Sequence, residues 1–154
     1  MLRTLRFLNL PCVALTLGLA WSHVLELPGK LRLDAAHWLE VQHNLYVAFG
    51  PPVGAPIEVA AIVLSWIVYC KTRRRHPAAR WTLVAACCTT LGLVLWFWLV
   101  APMNAIIDAW TPQTLTPDWI SVRDRWEAGH AAQCVLFGAG FGSLLAALLS
   151  ETSP

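Results

Sequence analysis

The chain has 154 residues, 57% of them hydrophobic and only 13% charged. Soluble domains carry about a quarter charged residues, so the composition excludes an ordinary soluble domain and reads as a membrane protein. Four spans of roughly 20 residues would use over half the chain, leaving short loops and no room for a second domain.

Span 1 is expected over about 5–27, ending at Pro28-Gly29. Its polar residues are not scattered. Asn9, Cys12, Thr16, His23, Glu26 and Lys30 follow one another at spacings of 3, 4, 7, 3 and 4, which keeps all six on one helix face. In lipid such a face must look into a bundle or a cavity. Arginines before an apolar run imitate a signal peptide, but the long run and its polar stripe suit a retained span better than a cleaved leader.

Residues 33–49 alternate an acidic and histidine stripe (Asp34, His37, Glu40, His43 or Asn44) with an apolar one (Trp38, Val41, Leu45, Phe49). That pattern predicts a short amphipathic helix at the interface or over the bundle mouth, ended by Pro51-Pro52. Span 2, about 53–70, carries one charge, Glu58. Span 3, about 81–109, contains Pro102, expected to bend or loosen it, followed by Asn104 and Asp108. Span 4, about 119–149, places Glu127, His130, Cys134, Gly138, Phe141 and Leu145 on one face. Trp21, Trp38, Trp110, Trp119 and Trp126 are expected at the outer interface, Trp66 and Trp81 at the inner one.

The predicted fold is therefore all-α: a four-helix transmembrane bundle, residues 1–154 as a single membrane domain, with an amphipathic interfacial helix between spans 1 and 2. The net charge is only +2, but it is segregated. Arg3, Arg6, Lys71, Arg73, Arg74, Arg75 and Arg80 gather at one end, where Glu151 is the only one of nine acids. The positive-inside rule puts that end, with both termini, in the cytoplasm of a cell-membrane protein. The basic loop is a topology signal and not a nucleic-acid surface. The five cysteines lie in apolar runs with no C-x-x-C, which argues against a disulfide framework and against dithiol redox chemistry.

Toward the opposite end every span contributes polar groups: His23, Glu26, Lys30, Glu58, Asn104, Asp108, Arg123, Arg125, Glu127 and His130. Charges in hydrocarbon cost about 2.5–3.5 kcal/mol each on insertion scales, so such a cluster must be paired, bind a ligand, or line a wet cavity. The structural alternative is an ion-pair network that fixes helix register, such as Arg125 with Glu26 or Glu58, with Arg123, Asp124 and Lys30 as solvated helix ends. Three chemistries compete for a functional pocket. His23-x-x-Glu26 and Glu127-x-x-His130 put carboxylate and imidazole on one face, as helix bundles do to hold iron, and with Glu58 could ligate Fe, Mn or Zn. His23 and His130 could ligate haem, although acids beside both make that the weaker cofactor. Without any cofactor, the same histidines and carboxylates could do acid–base work on a lipophilic substrate, with Glu58 as a further base and Lys30, Asn104 and Arg125 binding substrate or an anion.

His23-x-x-Glu26-x-Pro28-x-Lys30, Pro102-x-Asn104 and Arg123-x-Arg125-Trp126-Glu127-x-Gly129-His130 resemble the anthrone oxygenase-like family of small four-helix membrane proteins, over about residues 10–150. The resemblance implies an oxidoreductase or oxygenase acting with O₂ on a lipophilic, anthrone-like aromatic substrate. Most bacterial members have no assigned substrate, and the family leaves the cofactor open. The partners expected are the lipid bilayer and a lipophilic small molecule, with no nucleic acid; a homo-oligomer is compatible with the chain. The alternative is a non-enzymatic membrane metal- or haem-binding protein, or a small integral subunit.

Overall fold

The computed structural model describes residues 1–74 and 78–152; Arg75 of the basic loop lies outside them. The described chain is helical: α1 (Leu2–Lys30), α2 (Ala35–Leu45), α3 (Gly54–Thr72), α4 (Ala78–Leu95), a π-helical turn (Trp96–Val100), α5 (Ala101–Ala109) and α6 (Trp119–Thr152). Four helices are long and apolar enough to cross a membrane: Leu2–Lys30, Gly54–Thr72, Ala78–Ala109 and Trp119–Glu151. α1 packs on α3 and α6, and α4 packs on α3 and α6, so the four form a square whose neighbours in sequence are neighbours in space. This is the four-helix bundle expected from the hydropathy pattern, with both termini at one end.

The buried residues of α1 are Asn9, Val13, Thr16, Ala20, His23 and Lys30. They recur at 4, 3, 4, 3 and 7, the heptad seam of a left-handed bundle. The polar stripe read from the sequence is thus the inward face, with Cys12 and Glu26 at its half-buried margin. Ser65 Oγ of α3 donates to Asn9 Oδ1 at 3.2 Å within this seam.

α1 does not stop at Pro28-Gly29. Leu31 N–H still donates to Leu27 O at 3.0 Å, so the last turn continues through the proline and carries Lys30 into the bundle, where it is 4% exposed. The missing proline N–H removes one helical hydrogen bond but no later one.

Two interhelical ion pairs fix α1 against α6. Arg6 donates from Nη1 and Nη2 to Glu151 at 2.5 and 2.7 Å. Lys30 Nζ lies 2.8 Å from Glu127 Oε1. Arg6 and Lys30 are 24 residues apart, as are Glu127 and Glu151. At 1.5 Å per residue that is about 36 Å, slightly more than the hydrocarbon thickness of about 30 Å. The antiparallel pair is therefore clamped near both membrane boundaries with no register drift between. The ion-pair network predicted around Arg125 is absent from the described residues; Lys30 takes that place.

Span 3 is interrupted where Pro102 demands it. Proline has no N–H for the Trp98 carbonyl one α-turn earlier. The chain widens into the π-turn just before it, and Arg125 Nη2 donates to Trp98 O at 3.2 Å. α6 fits against this turn only because residue 129 is glycine: a Cβ there would stand 2.6 Å from Val100 Cγ2.

α2 is the predicted interfacial helix, shorter than the 33–49 expected. Asp34 caps it, accepting from His37 N–H at 3.0 Å. It ends at Leu45, and 46–53 is irregular. Its buried edge is Trp38, Leu39 and Gln42, rotated from the Trp38–Val41–Leu45 stripe read in the sequence; Leu45 is exposed. Trp38 and Leu39 join Val100, Met103, Ile107, Trp110, Val122 and Trp126 in one core at the end away from the termini. Trp38, Trp110 and Trp126 are thus packed in protein rather than floating at an interface. Trp21, Trp66 and Trp81 are exposed on the outside of the bundle. No cysteine among the described residues is paired; Cys134 is buried, Cys12, Cys87 and Cys88 are half-buried, and Cys70 is exposed.

Candidate functional site: an aromatic and ionic cluster at the end away from the termini

His23 on α1 and His130 on α6 stack face to face, ring centroids 4.0 Å apart and planes within 25°. Antiparallel alignment of α1 and α6 puts these two at one depth. Trp126, one turn before His130, sets its edge against both rings, at 4.9 Å from His23 and 4.3 Å from His130. Asn104 of α5 fixes that indole by accepting from Nε1–H at 2.6 Å. The segment after α2 closes the cluster: Tyr46 lies 4.7 Å and Phe49 5.4 Å from the His23 ring.

Above the imidazoles sits the buried cation. Lys30 Nζ contacts Glu127 at 2.8 Å and Glu26 at 3.9 Å, and lies 5.0 Å from the Trp126 and 5.4 Å from the Tyr46 ring centroids. Glu127 is 6% exposed, while the Glu26 side chain is 40% exposed and marks the mouth. Tyr46 donates its hydroxyl to Glu26 Oε2. Burial first, then that hydrogen bond and the nearby carboxylate charges, push the Tyr46 phenol above its ordinary pKa, so it stays a donor. Formally the group holds one ammonium and two carboxylates.

Three atoms here are buried without a hydrogen-bond partner: His23 Nδ1, Lys30 Nζ and Glu127 Oε1. The Lys30–Glu127 contact is therefore a close charge pair whose hydrogen is not well aligned. His23 Nδ1 is a free nitrogen inside an aromatic box.

The structure brings together His23, Glu26, Lys30, Glu127 and His130, with Asn104 joined through Trp126. It does not bring in the others. Glu58 is half-buried on α3, with Oε1 lacking a partner and no ion pair to the cluster. Arg125 is exposed and held by the Trp98 carbonyl, so its position answers the proline rather than a substrate. Arg123, expected at a wet rim, is 9% exposed, packed over the Trp119 ring at 5.1 Å and paired with Asp124 at 2.8 Å.

Among the described residues no group of three or more His, Cys, Asp or Glu is arranged to hold a metal ion. The imidazole stack explains why. Lone pairs lie in the ring planes, and two nearly parallel planes 4.0 Å apart cannot meet at a point within the roughly 2.0–2.1 Å reach of a metal–nitrogen bond. The same stack does not face two nitrogens across a haem.

Tyr46 is absent from the motifs read in the sequence, and Phe49 and Trp126, read there as an apolar-stripe residue and an interface and motif residue, turn out to line the site. Their signal was an aromatic-rich stretch between the amphipathic helix and Pro51-Pro52, and a tryptophan one turn before His130. No family profile, no curated protein and no solved structure matches the chain.

Proposed function

We propose that this is a cell-membrane protein with cytoplasmic termini whose His23–His130 cluster binds a flat, lipophilic aromatic molecule from the outer leaflet and promotes its oxidation by O₂. The observation that carries the reading is the free Nδ1 of His23 inside walls of stacked rings. A planar, anthrone-like substrate suits such walls, because aromatic faces and edges replace one another at about the same energy. Arg3, Arg6, Lys71, Arg73, Arg74 and Arg80 at the termini end support the orientation.

The chemistry needs no metal. In the tautomer that leaves Nδ1 unprotonated, His23 removes a proton from the carbon between two rings and the enolate forms. The transfer moves one proton from carbon to nitrogen and leaves an imidazolium beside the enolate, so total charge is unchanged. The enolate passes electrons to O₂ and bonds to it, giving a hydroperoxide once a proton returns. Loss of water leaves a carbonyl: one CH₂ and one O₂ become one C=O and one H₂O. Lys30, already paired with Glu127, is not needed as the anion's partner. Tyr46 and Phe49 cover the box and exclude water.

The test is O₂ consumption by the protein in lipid nanodiscs given an anthrone. The wild type should consume one O₂ per quinone formed, and His23→Gln should lose most of the rate while keeping its fold. Equal rates in both, or none above empty discs, overturn the reading. A second reading, a bundle whose charges serve only register, is favoured by the two terminal ion pairs; it predicts no turnover with any substrate.

A further inference from the structure

We propose that the box around Lys30 is a binding site for a lipophilic cation lacking N–H donors, a quaternary ammonium or phosphonium group, which enters as the Lys30 side chain swings out to the membrane surface. The structure already shows the site holding a cation. The Lys30 ammonium sits over the faces of Trp126 at 5.0 Å and Tyr46 at 5.4 Å, inside the range at which a cation is attracted by a ring quadrupole. Two carboxylates serve this single ammonium, Glu127 at 2.8 Å and Glu26 at 3.9 Å, so one formal negative charge is left over. The cluster attracts a second cation or a better one.

The kind of cation follows from the hydrogen bonds. Lys30 Nζ and Glu127 Oε1 are both buried with no directed hydrogen bond despite their closeness. A primary ammonium has three N–H donors and loses their solvation here. A quaternary centre has none to lose and is still attracted, at longer range through its carbon substituents, by the carboxylate charge and the ring faces. Lys30 ends α1 at the membrane boundary, where a four-carbon stem reaches water by snorkelling, and the incoming cation takes its place beside Glu127 so that this carboxylate is not left unpaired. The half-exposed Glu26 and the irregular 46–53 segment form the way in. None of this depends on the oxidation chemistry; a chain that consumed no O₂ could still bind.

The probe is tetraphenylphosphonium, titrated into the protein in phosphatidylglycerol nanodiscs and followed by equilibrium binding. The wild type should bind saturably. Glu127→Gln should bind about tenfold more weakly, the loss of one buried charge contact. Lys30→Met, which removes the internal competitor, should bind more tightly and be raised in thermal midpoint by the probe. An anion site would give the opposite sign for Lys30→Met. Doping the discs with phosphatidylcholine assigns the natural source: competition points to a lipid choline headgroup, and its absence to a free amphiphilic cation. The proposal is overturned if neither wild type nor Lys30→Met binds saturably, or if Lys30→Met binds less. Should Lys30→Met not fold, unchanged affinity in Glu127→Gln overturns it alone.

Discussion

Lys30 and Glu127 form a buried charge pair, 4% and 6% exposed, at the last turn of one transmembrane helix and near the start of another. Taking either partner away strands the other charge out of water. Breaking such a pair typically costs about 3–5 kcal/mol, whereas replacing both partners by apolar groups costs little. Glu127→Gln and Lys30→Met should each therefore lower the thermal midpoint of the detergent-purified protein sharply. The double variant should recover most of the loss. Additive losses in the double variant would show that the two charges are independently solvated and that the pair does not clamp α1 to α6.

Asn104 and Trp126 should behave as a unit. The indole N–H is buried and donates to the Asn104 carboxamide at 2.6 Å. Asn104→Leu leaves the donor unpaired, a cost of about 1–3 kcal/mol, and frees the ring that edges both imidazoles. The variant should lose stability by that amount and lose O₂ uptake more than Arg125→Gln does. Asn104→Gln should not restore it, because the longer side chain cannot keep the same short bond. If Asn104→Leu keeps full turnover, the orientation of Trp126 is irrelevant to the chemistry.

Arg125→Gln separates a backbone role from a substrate role. Arg125 is exposed and donates to the carbonyl that Pro102 cannot serve. Substitution should lower stability by about 1 kcal/mol, one ordinary hydrogen bond, and leave the substrate KM within about twofold. A large rise in KM with unchanged stability would return Arg125 to the binding site.

Much of this was legible in the sequence, for a physical reason. Hydropathy and the seven-residue recurrence of Asn9, Thr16, His23 and Lys30 are properties of single helices, so the bundle and its inward face could be read directly. Which charges meet across helices depends on register, and register here is set by Arg6–Glu151 and Lys30–Glu127, separated by 145 and 97 positions. Charge alone makes Arg125 a candidate to bind substrate or an anion, or to pair with Glu26 or Glu58; the proline four residues after Trp98 makes a better claim on it. Tyr46 falls on neither stripe of the helix expected over 33–49, and only the irregular return from α2 to α3 brings it over His23. Imidazole–carboxylate spacing suggested a metal, but spacing along one helix does not say whether two rings on different helices meet edge-on or stack.

Gly129 offers a test of the packing that holds the site. It lies against the π-turn, where any Cβ would meet Val100 Cγ2 at 2.6 Å and Leu99 Cβ at 3.2 Å. Gly129→Val forces α6 from α4 and α5 and should cost about 1–3 kcal/mol as overpacking. Because Gly129 is next to His130, the shift should also part the imidazole stack. Val100→Ala in the same chain removes the clashing methyls and should return part of the loss. No rescue would mean that the contact with Leu99 Cβ, not the Val100 methyls, sets the helix separation.

The cap of α2 should titrate outside the site. Asp34 accepts from both the backbone and the ring of His37. The backbone hydrogen bond, then the ring's, hold the Asp34 carboxyl below its ordinary value, while that ring bond and the carboxylate charge raise the His37 imidazole. The Asp34 contribution is therefore present above the ordinary carboxyl pKa and is lost as pH falls through the lowered one. The His37 contribution is fully present below about 6.5 and is lost as pH rises through the raised value. Both groups are exposed, so the charged pair steadies α2 only between the lowered Asp34 value and the raised His37 value and is screened by salt. An NMR titration of the His37 ring should give a midpoint above that of a free imidazole, and Asp34→Asn should bring it down. A midpoint unchanged by Asp34→Asn would mean the two side chains do not hold each other in solution.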